Sequence, residues 1–317
     1  MNFSKYQRTI SLAVLMLLGL GNALPAVGSG GVSADRLTKQ GTNHEMLLAQ
    51  VRRRRKPLKF SNLNVKAPTY RKSRYGAMRG GACPDNQVAT GKNIQKDMIA
   101  ILPPESQSGT ASKKDTTQLT TFAHPTILFD LPENSPTTAS FYLRDQNDKE
   151  VYSALDFSLP NKTSKNAGGV VILDIAEVAK TQKVPELKVG ENYIWQVTLS
   201  CGSNASKKTP TISGWIRRID PKIALGNQLE VSTINQNKLN AALVIADELE
   251  KTEDPDYLVY AENGIWYSAV NTLAKLIASN PQDSQLKEDW KELLSFGKLT
   301  EIAKKPIIGS VTIKKFN

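Results

Sequence analysis

Residues 83–220 consist of short runs that are rich in β-branched and aromatic residues and are separated by turn-forming residues. Runs of this kind, at this spacing, are typical of the strands of an antiparallel β-sandwich of immunoglobulin-like proportions. The predicted strands lie at 97–102, 119–131 (two strands, broken near residues 124 and 125), 139–144, 150–159, 169–175, 192–201 and 212–219.

The segment 192–201 has the clearest alternation of apolar and polar residues. Successive side chains of a strand point to opposite faces of the sheet. Gln196, Thr198 and Ser200 therefore share one face, and the opposite face carries Tyr193, Trp195, Val197, Leu199 and Cys201. This alternation predicts that Trp195 is a core residue rather than a residue that stacks against a ligand.

After Asp220 the apolar residues recur at helical spacing. We predict one helix around 239–249, a short helix that begins near Asp254-Pro255, a helix from Trp266 that stops before Pro281, and a helix from Asp283 or Ser284 to Gly297. The order Tyr260, Gly264, Ala269, Leu273, Pro281 matches the latter half of the tetratricopeptide pattern. Since only one such unit is visible, we expect a helical hairpin packed on the sandwich rather than a solenoid.

The sequence thus predicts an α+β protein with five parts. A β-sandwich domain (83–220) is followed by a helical, tetratricopeptide-like hairpin segment (221–297) and a C-terminal tail (298–317). The beginning of the chain, with Lys5, Arg8 and the apolar run 10–20, is typical of a signal peptide over residues 1–28. We therefore expect a periplasmic or secreted protein that is not an integral membrane protein after processing.

The excess positive charge lies between the signal peptide and the sandwich. Residues 46–84 contain eleven basic residues and no acidic residue, while 85–317 are close to neutral. We interpret 29–82 as a disordered basic linker that contributes no core element and whose removal leaves the fold intact. It is either a solvated linker or an arm that contacts an anionic surface or acidic partner. Nucleic acid is not expected as a partner of an exported chain, and the candidate contact residues are Arg52, Arg53, Arg54, Arg55 and Lys56.

Several motifs occur in order along residues 74–296: RYGAMRGGACPD, LFDLPE, FYLRD, LKVGENYIWQVTLSC, GWIRR and AENGIWYSAVNTLAKLIASNPQD. Together they resemble a cyanobacterial exported family known as domain of unknown function 928. The resemblance implies a secreted or periplasmic protein, and it implies no activity and no site residues. The loop after Cys201 reads GSNASKK, which departs from the Pro, Asp and Arg-Ser stretch of the family.

The sequence contains no G-x-S-x-G motif and no phosphate-binding glycine loop, and two histidines with two cysteines exclude a zinc cluster. Cys83 and Cys201 are predicted to form a disulfide, while a Cys83–His124 nucleophile is the alternative. Asp145, Asp148 and Glu150 resemble a calcium loop only loosely, so a solvated turn is favoured. We assign no catalytic residue, no metal ligand and no cofactor.

Two hypotheses about function remain. The first is a non-enzymatic module of the cell envelope that binds a protein or cell-wall partner. The second is a secreted hydrolase that uses paired carboxylates in a cleft between the β and helical lobes. An exposed apolar groove along the helix that begins at Trp266 would favour the first hypothesis, and a deep cleft with two carboxylates would favour the second.

Overall fold

The computed structural model describes residues 56–63, 65–68, 79–80, 97–103, 116–133, 135, 137–160, 168–200, 209–229, 240 and 242–311. All of these residues lie in the larger of two units of the chain, Arg54–Asn317. The described part is a mixed α+β structure with two sheets and seven helices.

The first sheet has six strands in the order β1-β4-β10-β9-β6-β7. Its bounds in chain order are β1 Val65–Lys66, β4 Thr116–Thr120, β6 Thr138–Asp145, β7 Glu150–Ser158, β9 Asn192–Leu199 and β10 Thr211–Arg218. The second sheet has five strands in the order β11-β8-β5-β3-β2. Its bounds are β2 Arg79–Gly80, β3 Met98–Ala100, β5 Thr126–Leu131, β8 Gly169–Asp174 and β11 Ile307–Ser310.

Each strand predicted from the sequence has a counterpart, including the break near residue 124, which separates β4 from β5. The direction of pairing differs from the prediction, because each sheet is mixed. Strand β10 pairs in parallel with β4, and β11 pairs in parallel with β8. Alternation within a strand indicates which face is buried but does not indicate the direction of its neighbour, so the expectation of antiparallel sheets throughout was wrong.

Trp195 is a core residue, as the alternation in β9 predicts, and its side chain is completely buried. Its neighbour across the sheet is Gly214 of β10. A Cβ atom at Gly214 would lie 2.8 Å from the Trp195 ring, so only glycine leaves room for the indole at this position. The glycine of the GWIRR segment therefore follows from the packing of Trp195.

The seven helices in chain order are α1 Ile175–Ala179, α2 Leu225–Gln228, α3 Ile245–Lys251, α4 Asp256–Glu262, α5 Trp266–Ser279, α6 Ser284–Phe296 and α7 Thr300–Ala303. The predicted helices near 254, 266 and 283 are confirmed as α4, α5 and α6. Asp283 is the N-cap of α6, since its carboxylate accepts from the backbone N–H groups of Gln285 and Leu286. The predicted helix around 239–249 begins only at Ile245, and Leu239 lies outside the described residues.

Helix α5 joins the helical part of the chain to both sheets. Ser268 Oγ accepts a 2.9 Å hydrogen bond from the backbone N–H of Thr121, which follows β4. The indole N–H of Trp266 donates to the carbonyl oxygen of Ile101 at 3.0 Å, just beyond β3. The buried apolar residues of sheets and helices consequently form one contiguous core.

Residues 56–63 lie within the predicted basic linker, and here the structure differs from that expectation. Leu58 and Leu63 are buried in the core, and the backbone N–H of Ser61 donates to the carbonyl oxygen of Ala261 at 3.1 Å. The segment passes over the turn between α4 and α5, where Gly264 has a φ of +71°. The apolar residues here have no strand or helix periodicity, because the segment is held by tertiary contacts rather than by regular secondary structure.

The predicted C-terminal tail contains α7 and β11 in its described part. Lys305 follows α7 and forms an ion pair with the buried carboxylate of Asp130 on β5, with a distance of 2.5 Å between Nζ and Oδ2. The apolar pair Ile307 and Ile308 then enters β11, which adds a strand to the second sheet. A single β-strand of four residues gives too short an alternation to be recognised in the sequence.

Candidate functional site

A groove of about 700 Å³ lies between the C-terminal end of α5, helix α6 and strand β11. Its floor is apolar and takes side chains from both the helices and the second sheet. The apolar lining residues include Ile172, Ile277, Trp290, Ala303, Ile307 and Ile308. Of α5, the lining includes only Ile277 and Ala278, near the C-terminal end of the helix, so the groove does not run along this helix.

Four lysines line the same groove: Lys287, Lys291, Lys304 and Lys305. The one carboxylate among the lining residues is Glu288, which pairs with Lys291 at 2.7 Å. This ion pair is solvent-exposed, with 52% and 65% of the side chains accessible, so it holds Lys291 only weakly. Lys304 likewise pairs with the exposed Glu301, and Lys305 pairs with the buried Asp130. We refer to this site as the lysine-rimmed groove, and its net charge is weakly positive because three of its four lysines have carboxylate partners.

Trp290 contributes to the apolar floor, and its indole N–H is buried within the protein. The residue is 4% exposed, and its indole N–H has no hydrogen-bond partner among the residues that the structure describes. An unpaired buried donor costs about 1–3 kcal/mol relative to a paired one.

A second cavity, of about 360 Å³, lies beside the middle of α5. Its lining includes Phe122, His124, Asn271 and Lys275. His124 forms a hydrogen bond through Nε2 with the carbonyl oxygen of Val184, at 3.0 Å. Lys275 forms a 2.7 Å ion pair with the buried Asp174, and the side-chain oxygen of Asn271 has no hydrogen-bond partner in the described part of the chain.

Neither cavity is lined by a pair of carboxylates. The buried carboxylates have other partners: Asp130 pairs with Lys305, Asp174 with Lys275, and Asp289 accepts from the phenol of Tyr257 and from the Gln285 amide. Glycoside hydrolysis needs two opposed carboxylates at one substrate site. The two cavities therefore give no support to the hydrolase hypothesis.

The turn at 145–150 is arranged as a solvated turn. The Asp145 carboxylate accepts from the backbone N–H groups of Asn147 and Lys149, at 2.8 and 3.0 Å. Asp148 pairs with Arg144 at 3.0 Å and has a φ of +65°. Within the described ranges, no cluster of three or more histidine, cysteine or acidic side chains is placed to hold a metal ion.

Most of the site residues predicted from the sequence lie outside the described residues. These are Cys83, Cys201, Arg52, Arg53, Arg54 and Arg55. Lys56 is described, and it forms an ion pair with Glu262 at the end of α4. The disulfide and the anionic-surface contact of the arm thus remain predictions.

The buried phenol groups are structural rather than acid–base groups. Burial raises the pKa of Tyr267, although the hydrogen bond from Trp195 acts in the opposite direction. Burial also raises the pKa of Tyr260, and the hydrogen bond with Thr121 acts against this. Both groups are therefore protonated at neutral pH.

The sequence analysis did not identify the lysine-rimmed groove. One feature of the sequence could have indicated the groove. Lys287 and Lys291 lie three residues before and one residue after Trp290, so the three residues are neighbours on one helix. A further signal was the pair Lys304 and Lys305 directly before the apolar segment of β11. Because these two parts of the groove meet only through the fold, neither part indicated a site by itself.

The comparison with protein families matches residues 74–307 to the family described as Domain of Unknown Function (DUF928). The chain belongs to this family. The match confirms the DUF928 family that the motifs indicated, while the cyanobacterial origin and the export stay predictions. It takes in α5, α6 and the first residue of β11. Most residues of the lysine-rimmed groove thus lie within the family domain.

No curated protein matches the chain. Among solved structures, it is similar to CopC from Methylosinus trichosporium OB3b, with 14% identity over 32% of this chain and 84% of that chain. The TM-score of 0.21 is too low for this likeness to identify the fold. None of the helices in the described residues has the length and apolar character needed to cross a membrane.

Proposed function

We propose that this DUF928 protein is a non-enzymatic module of the cell envelope that binds a protein or cell-wall partner in the lysine-rimmed groove. The observation that carries the proposal is the combination of an apolar floor and a rim of four lysines in one groove. An apolar pocket with a few convergent polar groups is the usual form of a binding site.

In this proposal the protein acts in the periplasm or at the cell exterior of a cyanobacterium. Support comes from the basic residues Lys5 and Arg8, the apolar run 10–20 and the family resemblance. In such a compartment Cys83 and Cys201 can form a disulfide, and titration of the native protein without reductant should then find no free thiol. The basic residues Arg52–Arg55 remain candidates for contact with an anionic surface of the envelope.

Finer features of the fold belong to the same proposal. The two sheets are interpreted as a sandwich of immunoglobulin-like proportions, and α4 and α5 as a single tetratricopeptide-like hairpin. Support for the hairpin comes from the turn at Gly264 and from the small residue Ala269 on the buried face of α5.

The test of the binding function is affinity capture of partners from the native envelope fraction by the tagged protein. The double variant Lys287→Glu/Lys291→Glu reverses two charges on the rim, and we expect it to lose the partners that the unmodified protein captures. The control variant Lys180→Glu/Lys188→Glu makes the same charge change at exposed lysines that do not line the groove. Equal capture by both variants would exclude the groove as the binding site.

A further inference from the structure

The groove is bounded on one side by the edge of a sheet. In the described part of the chain, β11 is the outermost strand of the second sheet. All four residues of β11 line the groove, so the strand edge and the groove form one continuous surface. Edge strands carry peptide groups that can pair with a strand of another chain.

The pairing of β11 with β8 determines which of its peptide groups face outward. The carbonyl oxygen of Pro306 accepts from the N–H of Val170 at 2.9 Å, and the N–H of Val311 donates to the carbonyl oxygen of Ile172 at 2.8 Å. Neighbouring residues of a strand direct their peptide groups to opposite sides. Ile307 and Ser310 are aligned with Val170 and Ile172, and they direct their peptide groups away from β8. They lie three residues apart rather than two because the register shifts between Ile307 and Gly309, so this edge is irregular.

The chemistry of the groove indicates which strand would fit there. Alternate side chains of a strand paired with β11 would point to the apolar floor, and this favours apolar residues at every second position. Lys291, Lys304 and Lys305 pair with Glu288, Glu301 and Asp130, so the remaining positive charge is that of Lys287, and it favours an acidic residue beside it. The same charge disfavours the protein's own basic segment at 52–56.

We propose that the ligand of the lysine-rimmed groove is an acidic, extended segment of a partner protein, which pairs with β11 as an additional strand. This inference rests on the proposed function and specifies its partner. An anionic lipid could use the lysines and the floor, but it makes no use of the outward peptide groups of β11. The difference between these two ligands makes the inference testable.

The probe is a fluorescein-labelled, end-capped peptide of alternating valine and glutamate, about eight residues long to match a typical strand. Binding to the mature protein is measured by fluorescence anisotropy. A peptide with lysine in place of glutamate is the charge control, and we expect no binding from it. Binding of the acidic peptide should weaken between 0.1 and 1 M salt, as the Debye length falls from ~10 to ~3 Å.

Two changes remove strand pairing without altering the charges. The variant Ser310→Pro removes one outward N–H group, and proline is tolerated on an edge strand when its N–H faces outward. A peptide N-methylated at alternate residues loses the same hydrogen bonds and leaves the protein unaltered. We expect each change to weaken binding at least about fivefold, the effect of losing roughly one hydrogen bond.

Oleate serves as the lipid probe and distinguishes a lipid ligand from a peptide ligand. It displaces the labelled peptide if both molecules bind to the apolar floor of the groove. The inference would be overturned if oleate binding depends on Lys287 and Lys291 while peptide binding is unaffected by Ser310→Pro or N-methylation. Such a result would show a lipid site. Failure of the acidic peptide to bind would overturn the inference as well. If the envelope partners are still lost on Lys287→Glu/Lys291→Glu and still captured by Ser310→Pro, the proposed function stands and the strand pairing is wrong.

Discussion

The indole N–H of Trp195 on β9 donates to the phenolic oxygen of Tyr267 on α5, with a distance of 2.5 Å, in the interior of the protein. Both side chains are almost completely excluded from water, and 72 residues separate them in the chain. The bond ties the first sheet to the longest described helix. Since the two groups have no access to solvent, each depends on the other for its hydrogen bond.

We expect Tyr267→Phe to destabilise the fold by about 1–3 kcal/mol, because it leaves the Trp195 N–H buried without a partner. The free energy of unfolding in urea is the measurement. Tyr152→Phe is the matched control: its hydroxyl donates to Gln182 in a partly exposed position, so its loss should cost less than about 1 kcal/mol. Equal losses for the two variants would contradict the role assigned to the Trp195–Tyr267 bond.

Stability should also depend on pH in the alkaline range. Burial raises the pKa of Tyr267 in the folded protein above its ordinary value of about 10. Above that value the unfolded chain loses the proton while the folded chain keeps it, so the stabilisation present at lower pH declines as pH rises. Urea unfolding at a series of pH values from about 8 to 11 should show this decline. The slope should be smaller in Tyr267→Phe, and an unchanged slope would assign the effect to other groups.

Gly264→Ala should be strongly destabilising, because a Cβ atom there would lie 2.2 Å from the carbonyl oxygen of Ser61 at a φ of +71°. Gly190→Ala is the matched control, since its φ is +80° but its Cβ atom would have no neighbour closer than 3.9 Å. The control should lose only the cost of a left-handed residue, about 1–2 kcal/mol. Thermal unfolding of both variants measures the difference in their loss of stability. The two losses should be equal if Ser61 does not lie against this turn.

Removal of the N-terminal residues tests the packing of segment 56–63. A chain that begins at Arg79 lacks the buried residues Leu58, Leu63 and Val65 and should unfold at lower urea concentration than a chain that begins at Arg54. Each buried leucine or valine contributes about 1.5–3 kcal/mol when removed from water. Equal stability of the two chains would show that the segment is a linker, as its sequence suggests.

Two adjacent lysines differ in what their removal should cost. Lys305→Met leaves the buried carboxylate of Asp130 without this ion pair, and a loss of about 3–5 kcal/mol is typical of a broken buried pair. Lys304 pairs with Glu301 in an exposed position, so Lys304→Met should cost at most about 1 kcal/mol. Chemical denaturation compares the two. A similar small loss in both would mean that Lys305 does not anchor the segment before β11.

The sequence predicted those elements whose residues carry their own local signal. The alternation from Tyr193 to Leu199 identified β9 and the burial of Trp195, and the carboxylate of Asp283 marked the start of α6. In both cases the deciding interactions connect residues that are close in the chain. Such signals are visible without knowledge of the fold.

The elements that the sequence did not predict depend on distant partners. Leu58 and Leu63 have no periodic pattern, and they are buried because the turn at Gly264 lies against them. Strand β11 is defined by its pairing with β8, which lies more than a hundred residues earlier. The lysine-rimmed groove combines residues of β8, α5, α6 and β11, so its lysines and its apolar floor come together only in the folded chain.

The position of β11 also has a consequence for the order of events during synthesis. Its strand partner β8 and the buried Asp130 leave the ribosome long before Ile307, and until then the Asp130 carboxylate lacks Lys305. Until Ile307 has been made, the second sheet therefore lacks strand β11. Contacts of such long sequence separation form late and slowly. The docking of β11 and the pairing of Lys305 with Asp130 therefore complete the second sheet only after β5 and β8 have been made.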